Sequence, residues 1–207
     1  MTLYTSIVYG ILYLTFYAIP YSFTSARHWS HVLSSLPFLS ILVSVLLASV
    51  GLAVYSHKYY QPRLVARGGA VLPEDRLPPM MLGSVLLPAG LFWFGWTSSA
   101  HISPVPQIIA GFLIGSGIML IFTNGVAFLV DIYLTSAASA IAANTCVRSA
   151  VAAGFPLAAP RMYRTLGIPW ATSVLGFLCV LVIPAPILFY KYGHRLRHLS
   201  RYAPTSD

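Results

Sequence analysis

Residues 105–130 read VPQIIAGFLIGSGIMLIFTNGVAFLV, a run of 26 residues without Asp, Glu, Lys or Arg. A helix needs about 20 mostly apolar residues to cross the hydrocarbon core of a bilayer. A transmembrane strand would instead alternate apolar and polar residues over about ten positions. Because this run is continuously apolar, it predicts a transmembrane helix.

Five further stretches share this character, so the sequence predicts six spans, at 3–23, 33–55, 79–97, 105–130, 135–159 and 169–190. The chain has 12 Lys or Arg and 4 Asp or Glu residues, and of these only Arg148 falls inside a span. Charged residues make up 8% of the 207 positions, against about a quarter in water-soluble domains. This composition excludes a soluble domain, and the aromatic content of 14% excludes a disordered chain. We predict an all-α fold: a polytopic transmembrane helical bundle that forms a single domain over residues 1–207.

The basic residues between the spans predict the orientation of the bundle. If all six spans form, segments 56–78 and 191–207 lie on one side of the membrane. Lys and Arg concentrate in cytoplasmic loops. We therefore predict a cytoplasmic loop at 56–78, a basic cytoplasmic tail at 191–207, and both termini in the cytoplasm. The inner side would hold eight basic residues and the outer side three: Lys58, Arg63, Arg67, Arg76, Lys191, Arg195, Arg197 and Arg201, against Arg27, Arg161 and Arg164.

Arg148 lies near the middle of the fifth predicted span. A charge at that depth costs at least about 2.5 kcal/mol, so such a residue normally faces the interior of a bundle or a water-filled cavity. It would either face an anion or substrate, or tune a proton relay, or serve as a structural cation bonded to a neighbouring span. Asn144 precedes it by one turn on the same helical face and would share its network.

Other polar groups mark a candidate pathway. Tyr9 and Tyr13 belong to an aromatic stripe in the first span, which either packs against other helices or lines a pathway for amphipathic or cationic molecules. Asn124 lies inside the fourth span and is a candidate for lining a cavity. Asp131 ends that span, either as a gate contact with a basic loop residue or as a solvated boundary residue.

Small residues predict where helices approach each other closely. Gly111 and Gly115 form a GxxxG motif in the fourth span, and Gly154 lies in the Ala-rich fifth span. Such positions let helix backbones pack in a membrane, and they are also where repeat bundles rock against one another.

The sequence contains no pattern for catalysis, for a metal or for a cofactor. No H-E-x-x-H, G-x-S-x-G or P-loop motif occurs, and the predicted spans contain no acid. Its two Cys residues both lie in apolar runs. We therefore predict a protein that is not an enzyme, with no catalytic residues, no bound metal, no cofactor and no nucleic-acid partner.

Several longer motifs resemble those of a known family. The first span opens with YGILYLTF (9–16), and the third is preceded by PEDRLPPMMLG (73–83) and continues with LPAGLFWFGWT (87–97). The fifth carries AIAANTCVRS (140–149) with GFPL (154–157), and the sixth carries WATSVLGF (170–177) with YKYG (190–193). Together they resemble the seventh, ninth, eleventh and twelfth helices of fungal-type multidrug and polyamine transporters. These are twelve-helix drug:proton antiporters of the major facilitator superfamily.

This resemblance implies export of a small molecule across the plasma membrane by alternating access, driven by proton return. It assigns Tyr9, Tyr13 and Asn124 to the substrate pathway, with Asn144 and Arg148 beside it. Relatives often carry an acid in the seventh helix about where Tyr17 stands, so a proton-coupling acid is missing at that position.

The chain matches only the C-terminal six helices of that family. We therefore expect a truncated half of a multidrug-type exporter that is inactive alone, or a half-transporter that pairs with a second half or with a copy of itself. The alternative is a membrane scaffold or regulatory half-protein that binds a full transporter. The expected partners are the lipid bilayer and, in an active assembly, an amphipathic or cationic substrate.

Overall fold

The computed structural model describes residues 2–66, 68, 73–133 and 136–198, with only the backbone for Glu74 and residues 192–198. Every regular element in these ranges is helical. The α-helices are α1 (Thr2–Ser25), α2 (Phe38–Tyr55), α3 (Gln61–Ala66), α4 (Leu77–Trp96), α5 (Pro104–Ile132), α6 (Ala137–Val182) and α7 (Pro184–His198). Short 3-10 turns occupy Leu33–Ser35 and Pro73–Arg76, and a π-turn at Ser56–Tyr60 joins α2 to α3.

Five helical stretches in the described part are long and apolar enough to cross a membrane: Thr2–Ser25, Leu33–Ala66, Leu77–Trp96, Pro104–Ile132 and Ala137–Lys191. The predicted all-helical membrane class is therefore confirmed. The second stretch continues as a helix to residue 66, so the first part of the predicted loop at 56–78 is helical. The predicted positions Thr135, Arg67 and Arg201 lie outside the described residues, as do the side chains of Arg195 and Arg197.

The fifth helical stretch contains two segments that meet at Gly167. The 46 residues of α6 would measure about 69 Å as one straight helix, roughly twice the thickness of the hydrocarbon core. Gly167 has φ 72° and ψ 168°, a conformation that interrupts the helix and that residues with a side chain rarely adopt. The sixth predicted span and the fifth from residue 137 onward lie within this one stretch.

Helix α5 contacts α1, α2, α4 and α6 and runs antiparallel to α1. Near the start of α1, the ring centroids of Tyr9 and Phe122 are 5.5 Å apart. Near its end, Gln107 Nε2 donates a hydrogen bond to Ser22 Oγ at 2.5 Å. Residue numbers therefore rise along α1 as they fall along α5.

Helix α4 packs closely against α5, also antiparallel to it. A Cβ added at Gly83 would lie 2.8 Å from the carbonyl oxygen of Gly117, and one added at Gly90 would lie 2.8 Å from Ile114 Cγ1. Such distances leave no room for a side chain at these glycines. The sequence singled out Gly111 and Gly115, whereas this interface uses three other glycines.

The two segments of α6 pack against different helices. The segment before Gly167 runs parallel to α1, since Asn144 contacts Thr5 and Tyr163 contacts Tyr17 further along both helices. The segment after Gly167 runs antiparallel to α4, where ring pairs join Trp96 to Trp170 at 6.0 Å and Phe92 to Phe177 at 5.0 Å.

Arg27, just after α1, holds the connection between α4 and α5. Its guanidinium donates hydrogen bonds to the carbonyl oxygens of Ile102 at 2.6 Å, Thr97 at 3.1 Å and Ser103 at 3.3 Å. Its Nε donates to Gln107 Oε1 at 3.2 Å. Burial lowers the pKa of Arg27, but an arginine remains a cation inside proteins.

Candidate functional site

Arg148 meets two aromatic rings from two other helices. Its Cζ lies 4.4 Å from the ring centroid of Tyr9 on α1 and 5.1 Å from that of Phe122 on α5. A guanidinium within about 6 Å of a ring centroid is attracted by the negative charge on the ring face, by about 2 kcal/mol or more when water is excluded. This three-helix contact is the centre of the candidate site.

The guanidinium keeps unused hydrogen-bonding capacity. Arg148 Nε is buried, and no donor or acceptor in the described part of the chain pairs with it. The aromatic rings compensate its charge only in part, because they offer no hydrogen-bond acceptor in the plane of the guanidinium.

The neighbouring polar groups form two short links. Tyr13 donates to the Tyr9 hydroxyl at 3.2 Å, on the exposed side of α1. Thr5 Oγ1 donates to Asn144 Oδ1 at 3.2 Å in a buried contact between α1 and α6. The structure thus brings Tyr9, Tyr13, Asn144 and Arg148 together where α1 meets the first segment of α6.

Asn124 and Asp131 lie elsewhere on α5. Asn124 is buried, and its Nδ2 donates to the carbonyl oxygen of Leu120 in its own helix at 2.8 Å. Asp131 accepts a hydrogen bond from Arg76 Nε at 3.1 Å, and this ion pair ties the end of α5 to the turn before α4.

The three predicted packing glycines have different surroundings. Gly111 and Gly115 face α2: a Cβ at Gly111 would lie 2.7 Å from Ser40 Oγ, and one at Gly115 would overlap Ser44 Oγ. Around Gly154, by contrast, no described atom lies within 4 Å of the position of an added Cβ.

Two cavities border residues around the Arg148 contact, although Arg148 itself lines neither of them. One of about 260 Å³ has a wall formed by Tyr9 and Phe122 and an apolar lining completed by α1, α2 and α5, including Phe16, Ile41 and Met119. The other, of about 440 Å³, is more polar and is lined by Thr2, Tyr133, Ser136, Ser139, Ala140, Ala143, Asn144 and Val147. The two rings that Arg148 contacts therefore border an apolar cavity, and Asn144, one turn before Arg148, borders a more polar one.

Several contributors were not anticipated from sequence. Phe122 and Thr5 lie in the candidate contacts, and Arg76 is the partner of Asp131. Phe122 is one of 11 Phe residues in the chain, so its residue type carries no signal. Arg148 is unusual by residue type, because it is a charge in an apolar span. Phe122 is identified only by its contact with Arg148 in the folded protein. In the ranges that the structure covers, no group of His, Cys, Asp and Glu is arranged to hold a metal ion.

Comparison with known proteins identifies relatives across the whole chain. It is 52% identical over 205 residues to the citrinin biosynthesis cluster MFS transporter of Monascus purpureus, which covers 99% of this chain and 39% of that protein. It is 50% identical over 206 residues to the ascochitine biosynthesis cluster MFS transporter of Didymella fabae, covering 99% and 40%. It is also 44% identical over 207 residues to a major facilitator superfamily multidrug transporter of Aspergillus fumigatus, covering 100% and 34%.

No protein-family profile matches the chain, and no solved structure matches it. The chain spans about two fifths of the length of the relatives. Identities of 44–52% over essentially every residue confirm the resemblance inferred from the motifs. This chain is therefore an integral membrane protein homologous to a segment of fungal major facilitator superfamily transporters.

Proposed function

We propose that the chain forms the C-terminal, six-span half of a small-molecule exporter, and that the Arg148 contact lies on its transport pathway. The observation that carries the proposal is the guanidinium of Arg148, which lies on Tyr9 and Phe122, two rings that border an apolar cavity. A bilayer penalises such a charge, so intramembrane arginines characteristically line ligand pathways. The relatives are named as transporters rather than enzymes, which favours transport over catalysis.

Helix directions support six spans rather than five. Relative to α1, helix α5 is antiparallel and α4 is antiparallel to α5, so α1 and α4 point the same way. The segment of α6 before Gly167 runs with α1, whereas the segment after it runs against α4. The chain therefore reverses direction at Gly167, as two successive spans require.

We further propose that both termini and segment 56–78 face the cytoplasm of a cell whose plasma membrane holds the protein. The support is the distribution of Lys and Arg. Within the proposed cytoplasmic layer, Arg76 pairs with Asp131 and Arg63 Nη1 lies 3.5 Å from Asp75 Oδ1. These pairs hold the inner ends of the helices together.

An unoccupied helix face supports the need for a second half. Before Gly167, α6 buries Asn144, Ala152, Ala159 and Tyr163, which share one face at helical spacing. The opposite face is exposed and includes Leu157 at 83% exposure. On α1, the side chains of Tyr13 and Phe16 are also exposed. We propose that these faces of α1 and α6 receive the other helical half, so that transport requires both.

The same exposed face favours a second candidate function, that of a scaffold. A six-span unit that docks on a full transporter through α6 would bury this surface without transporting anything. The two candidates differ in a single observable, which is transport by the assembled complex.

The test is a split transporter. The full chain is reconstituted in lipid vesicles alone, and together with the portion of the Monascus purpureus relative that it does not match. Uptake of a radiolabelled amphipathic probe is measured with and without a pH gradient. We expect uptake above that of empty vesicles only when both parts are present, and faster uptake with the gradient if transport is proton-coupled.

A matched pair of variants tests the docking face. Ala150→Phe adds bulk to the exposed face of α6 before Gly167, and Val174→Phe adds it to an exposed position after Gly167. Only Ala150→Phe should abolish uptake and co-purification. Co-purification without any uptake would support the scaffold and overturn the transport proposal. Equal uptake by the chain alone would overturn the need for a second half.

A further inference from the structure

The charge of Arg148 has no acidic partner in the part of the chain that the structure describes. The two acids with described side chains are engaged elsewhere: Asp75 with Arg63, and Asp131 with Arg76. Arg148 Nε is shielded from solvent without an acceptor among the described residues. Arg148 as a whole is only partly buried, so an anion that reaches its guanidinium would stabilise it, because a charge-assisted hydrogen bond is roughly twice as strong as a neutral one.

The aromatic rings beside Arg148 cannot at the same time hold a cationic ligand in the same place. Cation binding to a ring uses its electron-rich face, and here the guanidinium lies over both Tyr9 and Phe122. A second cation at this position would meet the like charge of Arg148. The contact therefore selects against the cationic molecules that the aromatic stripe by itself would favour.

Tyr9 supplies a second donor for an anion. Its hydroxyl oxygen accepts the hydrogen bond from Tyr13, so its own hydrogen remains available to another acceptor. The Tyr9 ring also forms part of the wall of the 260 Å³ apolar cavity, together with Phe122. The surroundings of these two rings therefore offer hydrogen-bond donors for an anionic group and an apolar surface for the rest of a ligand.

We propose that this site binds an amphipathic organic acid, with its carboxylate on Arg148 and the Tyr9 hydroxyl and its apolar body against Tyr9 and Phe122. This inference rests on the proposed function and names the substrate class of the same site. Loss of one charge-assisted hydrogen-bonding partner corresponds to a loss of affinity of roughly 10- to 100-fold.

The experiment measures binding, not transport, on the full chain in lipid nanodiscs. Three radiolabelled probes share one ring system and differ in charge: 2-naphthoate, the neutral 2-naphthamide and the cationic 2-naphthylmethylammonium. Equilibrium dialysis against empty nanodiscs corrects for partition into lipid. We expect wild-type protein to bind naphthoate at least ten times more tightly than the ammonium probe.

Variants locate the selectivity. Arg148→Gln should weaken naphthoate binding roughly 10- to 100-fold and leave naphthamide within threefold, while Arg148→Lys should retain part of the preference for the anion. Tyr9→Phe keeps the ring and removes one donor to the carboxylate, so it should weaken naphthoate binding about tenfold, at the lower end of that range. Arg164→Gln removes an equal charge from an exposed position outside the site and should change nothing.

The proposal is overturned if the ammonium probe binds wild-type protein as tightly as naphthoate does, a result that needs no variant to fold. It is also overturned if correctly inserted Arg148→Gln keeps full naphthoate affinity. Anion-selective binding without uptake by the split transporter would refute the proposed function and leave this inference intact. Uptake of the ammonium probe by the split transporter, if it does not depend on Arg148, would support the proposed function and refute this inference.

Discussion

Replacing Asp131 by Asn should loosen the junction between α5 and the turn that precedes α4. In the native protein Arg76 Nε lies 3.1 Å from Asp131 Oδ2, and the two side chains are only 28% and 11% exposed. The Arg76 guanidinium carbon also lies 4.1 Å from the ring centroid of Tyr60. Asp131→Asn keeps the size of the side chain and removes its charge, so the experiment isolates electrostatics from packing.

The expected loss of stability follows from the geometry. At 3.1 Å and an effective dielectric constant of about 20, the two charges attract each other by about 5 kcal/mol. Desolvation of both groups offsets much of this attraction. Arg76 remains partly exposed, so water can replace some of what the carboxylate supplied. We therefore expect Asp131→Asn to lower the free energy of unfolding by about 2 kcal/mol, within the range for a hydrogen bond to a charged group.

The assay is unfolding of the full chain by SDS in mixed micelles, followed by far-ultraviolet circular dichroism. Asp131→Asn, Arg76→Gln and the double variant form a double-mutant cycle, which isolates the interaction between the two side chains. We expect a coupling free energy of about 1–2 kcal/mol, so that the double variant loses much less than the sum of the single losses. Additive single losses would refute the reasoning.

The second ion pair of the described chain provides the matched control. Arg63 Nη1 and Asp75 Oδ1 are 3.5 Å apart, and the Arg63 side chain is 52% exposed. Exposed pairs contribute about 0–1 kcal/mol, so Asp75→Asn should cost less than 1 kcal/mol. The backbone carbonyl of Asp75, which accepts a hydrogen bond from Tyr55, is unchanged by this substitution. If Asp75→Asn were as damaging as Asp131→Asn, burial would not be the deciding factor.

Four further substitutions test other contacts by the same unfolding assay or by hydrogen exchange. Gly115→Ala forces a methyl group into the contact with α2 and should cost about 1–3 kcal/mol, whereas Gly154→Ala enters open space and should cost nothing or gain up to about 1 kcal/mol from helix propensity. Arg27→Gln removes the hydrogen bonds to the connection between α4 and α5, and should speed amide exchange at residues 97–103 roughly 10- to 100-fold. Tyr163→Phe deletes a buried hydroxyl that has no partner among the described residues, and should leave stability unchanged or raise it by about 1 kcal/mol.

Each of these has a result that would contradict it. Equal destabilisation by the two glycine substitutions would show that the close approach to α2 is not what excludes a side chain at Gly115. For Arg27→Gln the control is Arg161→Gln at an exposed position, and equal exchange rates in both would show that Arg27 does not hold the connection. A loss of more than 1 kcal/mol in Tyr163→Phe would show that its hydroxyl has a bonding partner after all.

Much of the fold follows from local sequence, and Gly167 shows where that stops. Each apolar run predicts a helix by itself, because in lipid a backbone must satisfy its own hydrogen bonds. The two C-terminal runs, however, follow each other with almost no loop, and the non-helical backbone of Gly167 interrupts the helix between them. Several glycines and prolines in this region look equally suitable as a break. The structure places the break at Gly167, between a segment packed against α1 and a segment packed against α4.

The candidate site also contains residues that the sequence identifies and partners that only the structure identifies. Arg148 stands out in the sequence because transfer of a charge into lipid is costly wherever it occurs along a span. Of its two aromatic partners, Tyr9 belongs to the predicted aromatic stripe, whereas Phe122 does not stand out because apolar rings are ordinary constituents of a membrane helix. The same holds for Asp131, whose partner Arg76 is one of several basic residues in the neighbouring segment and lies 55 positions away.

The sequence by itself determined that this protein is an all-helical membrane protein. It also predicted where the apolar helices run and that one cation lies at a depth where a bilayer penalises it. These properties depend on the free energy of transferring each residue from water to lipid, which is set by the residue and its immediate neighbours in the sequence. Only the tertiary structure decided what that cation meets. It places Arg148 on Tyr9 and Phe122, on two other helices, because helices of similar composition are arranged by shape and packing, which no single stretch of sequence specifies.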